Sequence, residues 1–177
     1  MRKLLLFLCL LIVGITAKAG QVEVKEFSAV SGSLDTNISY TTAKGDGTTA
    51  PQINGTVIRL YQPSSGKTYG GSITVSAKSG ITIQSVEIGS AMATTVDYTI
   101  GTSTTHSSNK SIAKDGKLPI DVNDSKVTVY CKGSSSSARL YVNYLKVVYS
   151  DGTGGEVTLA VPTFEDKDGK PITETTL

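Results

Sequence analysis

The residues able to do chemistry in this chain are few, and most stand in patterns too incomplete to do it. Ser64-Ser-Gly66-Lys67-Thr68 ends like a phosphate-binding loop, yet position 61 is Tyr and position 62 is Gln where that loop requires its first glycine. A strand-like segment follows, whereas a phosphate loop needs a helix N-terminus to aim its amides. Lys44-Gly-Asp46-Gly47 likewise lacks the glycine spacing of a dinucleotide site, so both segments are expected to be turns.

Nucleophilic chemistry has an equally thin inventory. His106 is the single histidine and lies in the polar stretch Gly101-Thr-Ser-Thr-Thr-His106-Ser-Ser-Asn109, which reads as a loop. No Gly-x-Ser-x-Gly elbow accompanies it, and a Cys131–His106 dyad requires that loop to fold back over the strand containing Cys131. A zinc site needs more His and Cys than the chain has. Asp46, Asp97, Asp115, Asp121 and Asp124 fall in turns or at outward strand positions, which offers no carboxylate pair for glycoside hydrolysis. Asp151-Gly152 and Asp166-Lys-Asp168-Gly169 carry oxygen ligands but not the spacing of a calcium loop. No catalytic residue, metal or cofactor is implied.

One constellation suits binding instead. Sugar rings stack on aromatic side chains beside polar groups. The chain has no Trp and eight Tyr, of which Tyr61, Tyr98, Tyr130 and Tyr149 occupy strand positions suited to core or sheet-surface packing. Tyr69, between Lys67 and Gly70-Gly71, is expected to be exposed on a loop. With Asp46 and His106 it would line a shallow rim if these loops gather at one end of the fold.

The elements that must hold such a rim are strands. Ile73-Thr-Val75, Ile81-Thr-Ile83, Val96-Asp-Tyr98-Thr-Ile100 and Val127-Thr-Val129 alternate apolar with polar, which puts one face on a core and the other in water. Strands are expected over 22–27, 36–42, 56–62, 71–77, 81–89, 95–101, 110–113, 117–122, 126–132 and 139–149. Gly45-Asp-Gly47, Pro63-Ser-Ser-Gly66, Gly70-Gly71, Lys78-Ser-Gly80, Asp115-Gly116 and Gly133-Ser-Ser-Ser-Ser137 supply the turns between them. The fold class is therefore all-β, an antiparallel two-sheet, jelly-roll-like sandwich. In the last strand Leu140 and Val142 share one parity while Leu145, Val147 and Tyr149 share the other. One extra residue near Asn143-Tyr144 would return both sets to the core, which predicts a β-bulge there.

Both ends of the chain differ from this body. Arg2-Lys3, the apolar run Leu4–Val13 and Ala17-Lys-Ala19 have the form of a cleavable secretory signal over residues 1–19, the run being too short for a bilayer of about 30 Å. Without Arg2, Lys3 and Lys18, 14 Lys+Arg face 15 Asp+Glu, so the basicity of the whole chain belongs to its leader. Nucleic acid has no electrostatic footprint on what remains, and no membrane span follows. Cys9 would leave with the signal. Cys131 then has no partner for a disulfide and reads as a small buried strand residue. A sandwich over 20–150 is followed by a Gly-rich linker at 151–155 and by 156–177, an added strand segment or the truncated start of a second β domain.

Phe27–Gly32, Thr41–Pro51, Val57–Tyr61, GGSITVSA, ITIQSVEI and ARLYVNYLKVVYSDG together resemble a β-sandwich module of secreted and surface proteins from Bacteroidetes-type bacteria. The tail VTLAVPTFEDKDGKPI is similar to the opening of immunoglobulin-like or chitobiase-C-terminal-like domains that follow such modules. The resemblance implies fold, export and a multidomain setting, and brings no site residues with it. The resulting expectation is an exported, non-catalytic module, secreted, periplasmic or on the cell surface, that binds carbohydrate or mediates adhesion. The alternative is a structural spacer presenting the neighbouring domains of its own chain.

Overall fold

The computed structural model describes residues 19–102 and 106–151, and its elements are strands apart from one 3-10 turn at Ser136–Ala138. In chain order the strands are β1 (Ala19–Val24), β2 (Gly32–Ser33), β3 (Ile38–Ala43), β4 (Gln52–Asn54), β5 (Val57–Leu60) and β6 (Ser72–Ala77). There follow β7 (Ile81–Ser90), β8 (Thr94–Ile100), β9 (His106–Ile112), β10 (Lys117–Asp124), β11 (Lys126–Cys131) and β12 (Leu140–Asp151). No helix among the described residues is long and apolar enough to cross a membrane.

Two antiparallel sheets form without closing into a barrel, as a sandwich requires. The first runs β10-β7-β12-β5-β4, with β1 also paired to β12, and the second runs β2-β3-β6-β11-β8-β9. Alternation along the strands fills the space between them. The second sheet contributes Ile38, Ile73, Val75, Val96, Val127, Val129 and Cys131, while the first contributes Ile58, Leu60, Ile83, Val86, Ile88, Leu140, Val142, Leu145 and Val147. Burying each Val, Leu or Ile side chain gains roughly 1.5–3 kcal/mol, so this shared apolar layer drives the two sheets together.

The predicted bulge is present. The register of β12 on β7 shifts between Val142 and Tyr144, and Leu140, Val142, Leu145 and Val147 are all fully buried as a result. A second shift, between Val148 and Tyr149, was not foreseen. It skips Gln84 in β7, so that Ile83 joins Val86 and Ile88 on the core face despite opposite parity. The long strand β12 also holds two partners on its other side, β5 along Leu140–Val142 and β1 along Ala19–Val24.

Several boundaries differ from expectation for physical reasons. The first strand is Ala19–Val24, because Phe27 leaves the ladder to bury itself against Tyr40 in an edge-to-face contact. The short β2 and β4 carry too little alternation to be seen in sequence. Strand β9 begins at His106 rather than at residue 110, and β12 continues through Asp151, into the segment read as linker. Residues 1–18 of the expected signal 1–19, and the tail 152–177 including Asp166–Gly169, lie outside the described residues, while Ala19 opens β1.

Candidate functional site

Two loops cross at the strand ends of β3, β6 and β11 in the second sheet, and glycine makes the crossing possible. Gly45 has φ +56°, and a Cβ there would run into the Gly70 carbonyl oxygen, while a Cβ on Gly70 would strike the Tyr61 carbonyl oxygen. With neither Cβ present, the backbones touch. Asp46 N–H donates to the Tyr69 carbonyl (2.9 Å), and the Ser64 N–H donates to the Asp46 carbonyl (3.0 Å). Gly70 N–H donates to the Cys131 carbonyl and Cys131 N–H to the Gly71 carbonyl, each at 2.8 Å, which ties Tyr69 to the end of β11.

Strand register supplies the remaining side chains. Val129 and Cys131 point into the core, so Tyr130 between them points outward. It faces Asp97 on β8, and Asp97 faces Asn109 on β9. A register shift then places His106 opposite Thr99, on the same outer face. The rings of Tyr69 and His106 stack with centroids 3.5 Å apart and planes 9° apart. Tyr130 leans on both, 5.6 Å from Tyr69 and 5.0 Å from His106. Gly45, Asp46, Tyr69, His106 and Tyr130 line an open recess of about 230 Å³.

Under this aromatic cluster lies a charged group that is expensive to bury. Asp97 is 1% exposed; its Oδ2 meets Lys132 Nζ at 3.4 Å, and Lys132 Nζ donates to Asn109 Oδ1 at 2.8 Å. Asp97 Oδ1 and His106 Nε2 are covered and have no hydrogen-bond partner among the described residues. Burial holds the His106 pKa below its ordinary value; Asp97 opposes that shift and Lys132 adds to it. Burial thus disfavours the charged imidazole here.

Asp46, Tyr69 and His106 thus come together from three separate parts of the chain. Two details correct the sequence expectation. Tyr69 is half-buried rather than exposed, because its face is taken up by His106, and His106 opens a strand rather than sitting in a loop. Tyr130 belongs to the recess, and the parity of Val129 and Cys131 carried the signal that it faces outward. Asp97 does occupy an outward strand position, but the rings and Lys132 cover it.

The other candidates separate in space. Cys131 is fully buried on the core side of β11, where burial raises the thiol pKa, whereas His106 packs on the outer side against Tyr130. No dyad forms. Ser64–Lys67 is a turn closed by Lys67 N–H on the Ser64 carbonyl (3.0 Å), with Gly66 at φ +73°. Among the described residues no group of three or more His, Cys, Asp or Glu converges as metal ligands would.

No protein-family model matches the chain, and no curated protein matches it in sequence.

Proposed function

We propose that the protein is an exported, non-catalytic carbohydrate-binding module and that the recess of Tyr69, His106 and Tyr130 receives a sugar ring. The observation that carries this reading is the convergence of three aromatic rings with the exposed Asp46 carboxylate around an opening of about 230 Å³. That volume is below the roughly 300–1,000 Å³ of drug-sized ligand sites, which suits a single ring rather than a long oligosaccharide. Aromatic carbon offers a surface for the C–H face of a sugar, and Asp46 offers acceptors for its hydroxyls. Cys131 lies on the core side of β11 and His106 on its outer side, so the two do not form a nucleophile–base pair, which favours binding over turnover. Export follows from the leader at residues 1–19, and attachment or adhesion at a cell surface is the setting in which such binding would be used.

Affinity electrophoresis of the full chain through gels containing neutral polysaccharides tests this. The expected result is retardation on at least one glycan, reduced at least fivefold in Tyr69→Ala while the thermal unfolding transition stays cooperative. Absence of retardation for the folded wild-type chain on every glycan would overturn the reading and leave a spacer that presents neighbouring domains.

A further inference from the structure

We propose a second binding surface, on the outer face of the first sheet where β5 meets β12, that receives the acid groups of an anionic polysaccharide. Beyond Arg2, the chain has two arginines, Arg59 and Arg139, and both lie here. Cross-strand register pairs Arg59 with Tyr141 and Leu60 with Leu140. Tyr61 and Arg139 lie just beyond the paired residues, so Arg and Tyr stand two residues apart on each segment. The Arg59 Cζ sits 5.0 Å from the Tyr141 ring centroid and 5.8 Å from that of Tyr61, and the Arg139 Cζ sits 4.8 Å from the same Tyr61 ring.

Two cations are therefore gathered on one ring, with no counter-charge among the described residues. The ion pairs among the described residues join Lys25 to Glu23, Lys117 to Glu87 and Lys132 to Asp97, and neither arginine takes part. Their hydrogen bonds fix them without neutralising them. Arg59 Nη1 lies 3.4 Å from Tyr61 Oη, Tyr61 Oη donates to Gln52 Oε1 (2.9 Å), and Arg139 Nε donates to Gln62 Oε1 (2.8 Å). A guanidinium already held over a ring loses less rotamer freedom when it binds an anion, and its planar fork matches a carboxylate or sulfate. Arg59 Nε is covered and without a partner among the described residues, so an anion meets this side chain end-on, at its terminal nitrogens.

Gln62 joins this surface to a larger recess. About 500 Å³ in volume, it is lined by Thr48, Ser64, Ser65, Lys67 and Ser134, and no acidic residue lines it among the described residues. Hydroxyls along the recess, with cations at Lys67 and at the arginines, match a ligand whose own hydroxyls are interrupted by spaced acid groups. A nucleic acid duplex fits less well. It carries one charge per roughly 1.7 Å and calls for a basic stripe, where this surface offers separated cations.

The test is affinity electrophoresis of the full chain at low salt, with mobility referred to a polysaccharide-free gel. Polygalacturonate supplies carboxylates, dextran sulfate supplies sulfates, and unmodified dextran and duplex DNA complete the set. Retardation by polygalacturonate or dextran sulfate, reduced at least fivefold in Arg59→Gln and in Arg139→Gln and unchanged in Tyr69→Ala, is the expected result; which of the two gels retards the chain identifies the acid. Wild-type mobility equal in acidic and plain dextran gels would overturn the proposal, as would retardation unaffected by Arg139→Gln or stronger retardation by DNA. Arg139 precedes β12, is only half-buried and takes no part in the strand ladder, so its replacement leaves the fold available for measurement even if Arg59→Gln does not. Because Tyr69 contributes nothing to this surface, either binding reading can fail without the other.

Discussion

The aromatic recess and the arginine-tyrosine surface are built by opposite means. Tyr69, His106, Tyr130 and Asp46 meet because two loops cross through Gly45 and Gly70 and a shifted ladder delivers His106. Arg59, Tyr61, Arg139 and Tyr141 meet because β5 and β12 run in plain antiparallel register, each residue beside its cross-strand neighbour. The first depends on backbone contact between loops and the second on a regular ladder between two strands. They should therefore fail differently when perturbed.

The largest expected effect separates them at the loop crossing. In Gly45→Ala a left-handed φ and a collision with the Gly70 carbonyl act together, and stability should fall by about 2–4 kcal/mol in urea unfolding. Tyr69 should move away from Asp46 while the Arg59–Tyr141 pairing survives, visible as a larger loss of neutral-glycan binding than of acidic-polysaccharide binding. A loss under about 1 kcal/mol would show that the crossing is loose, against the overpacking argument.

Beneath the rings, Asp97→Asn should act in the reverse direction. It removes a buried charge whose partner, Lys132, keeps Asn109 and some access to water, so the unfolding midpoint should rise by the equivalent of about 1 kcal/mol. A fall of that size would mean that the ion pair stabilises the fold.

On the arginine surface, Tyr61→Phe deletes one hydroxyl bonded to Gln52 and leaves the ring. About 0.5–1 kcal/mol should be lost, and the recess of Tyr69 should be unchanged. Comparable damage at both surfaces would contradict their independence.

The smallest effect is a slope with pH. His106 is a base with a depressed folded pKa, so its contribution is fully present above the unfolded value of about 6.5 and is lost as pH falls from there through the folded value. Thermal midpoints measured from pH 8 to 5 should decline in this window, and His106→Gln should flatten the decline. Asp35 acts in a separate and lower window. Burial pushes its carboxyl up, but hydrogen bonds from Tyr149 and the Asn37 and Ile38 amides outweigh burial and lower its pKa. Its share of stability is kept above the unfolded value of about 3.9 and is lost as pH falls through the folded value.

Much of the architecture could be read along the chain. Alternation in Val127-Thr-Val129 and Ile73-Thr-Val75 marks strands that are strands, and the parity break in 139–149 marks a real bulge. The corresponding break in β7, between Ile83 and Val86, went unread because the segment looked regular in each half. The sequence around His106 reads as a loop because Ser, Thr and Asn there carry no apolar period, although an edge strand with a polar face needs none.

The arginine-tyrosine surface was legible in principle and went unread. Arg59 and Tyr61, and Arg139 and Tyr141, are each two residues apart and so share a strand face, but which strand lies beside which is not written in either segment. Sequence by itself determined the all-β class, the inward and outward parity of the main strands and the burial of Cys131, because these follow from the two-residue repeat of an extended chain. Tertiary structure alone decided that Tyr69 stacks on His106, that Asp97 is covered, and that β5 pairs with β12 so that two arginines share one ring. Those outcomes depend on contacts between residues far apart in the chain, where the local pattern is silent and only the closing of the core fixes the neighbours.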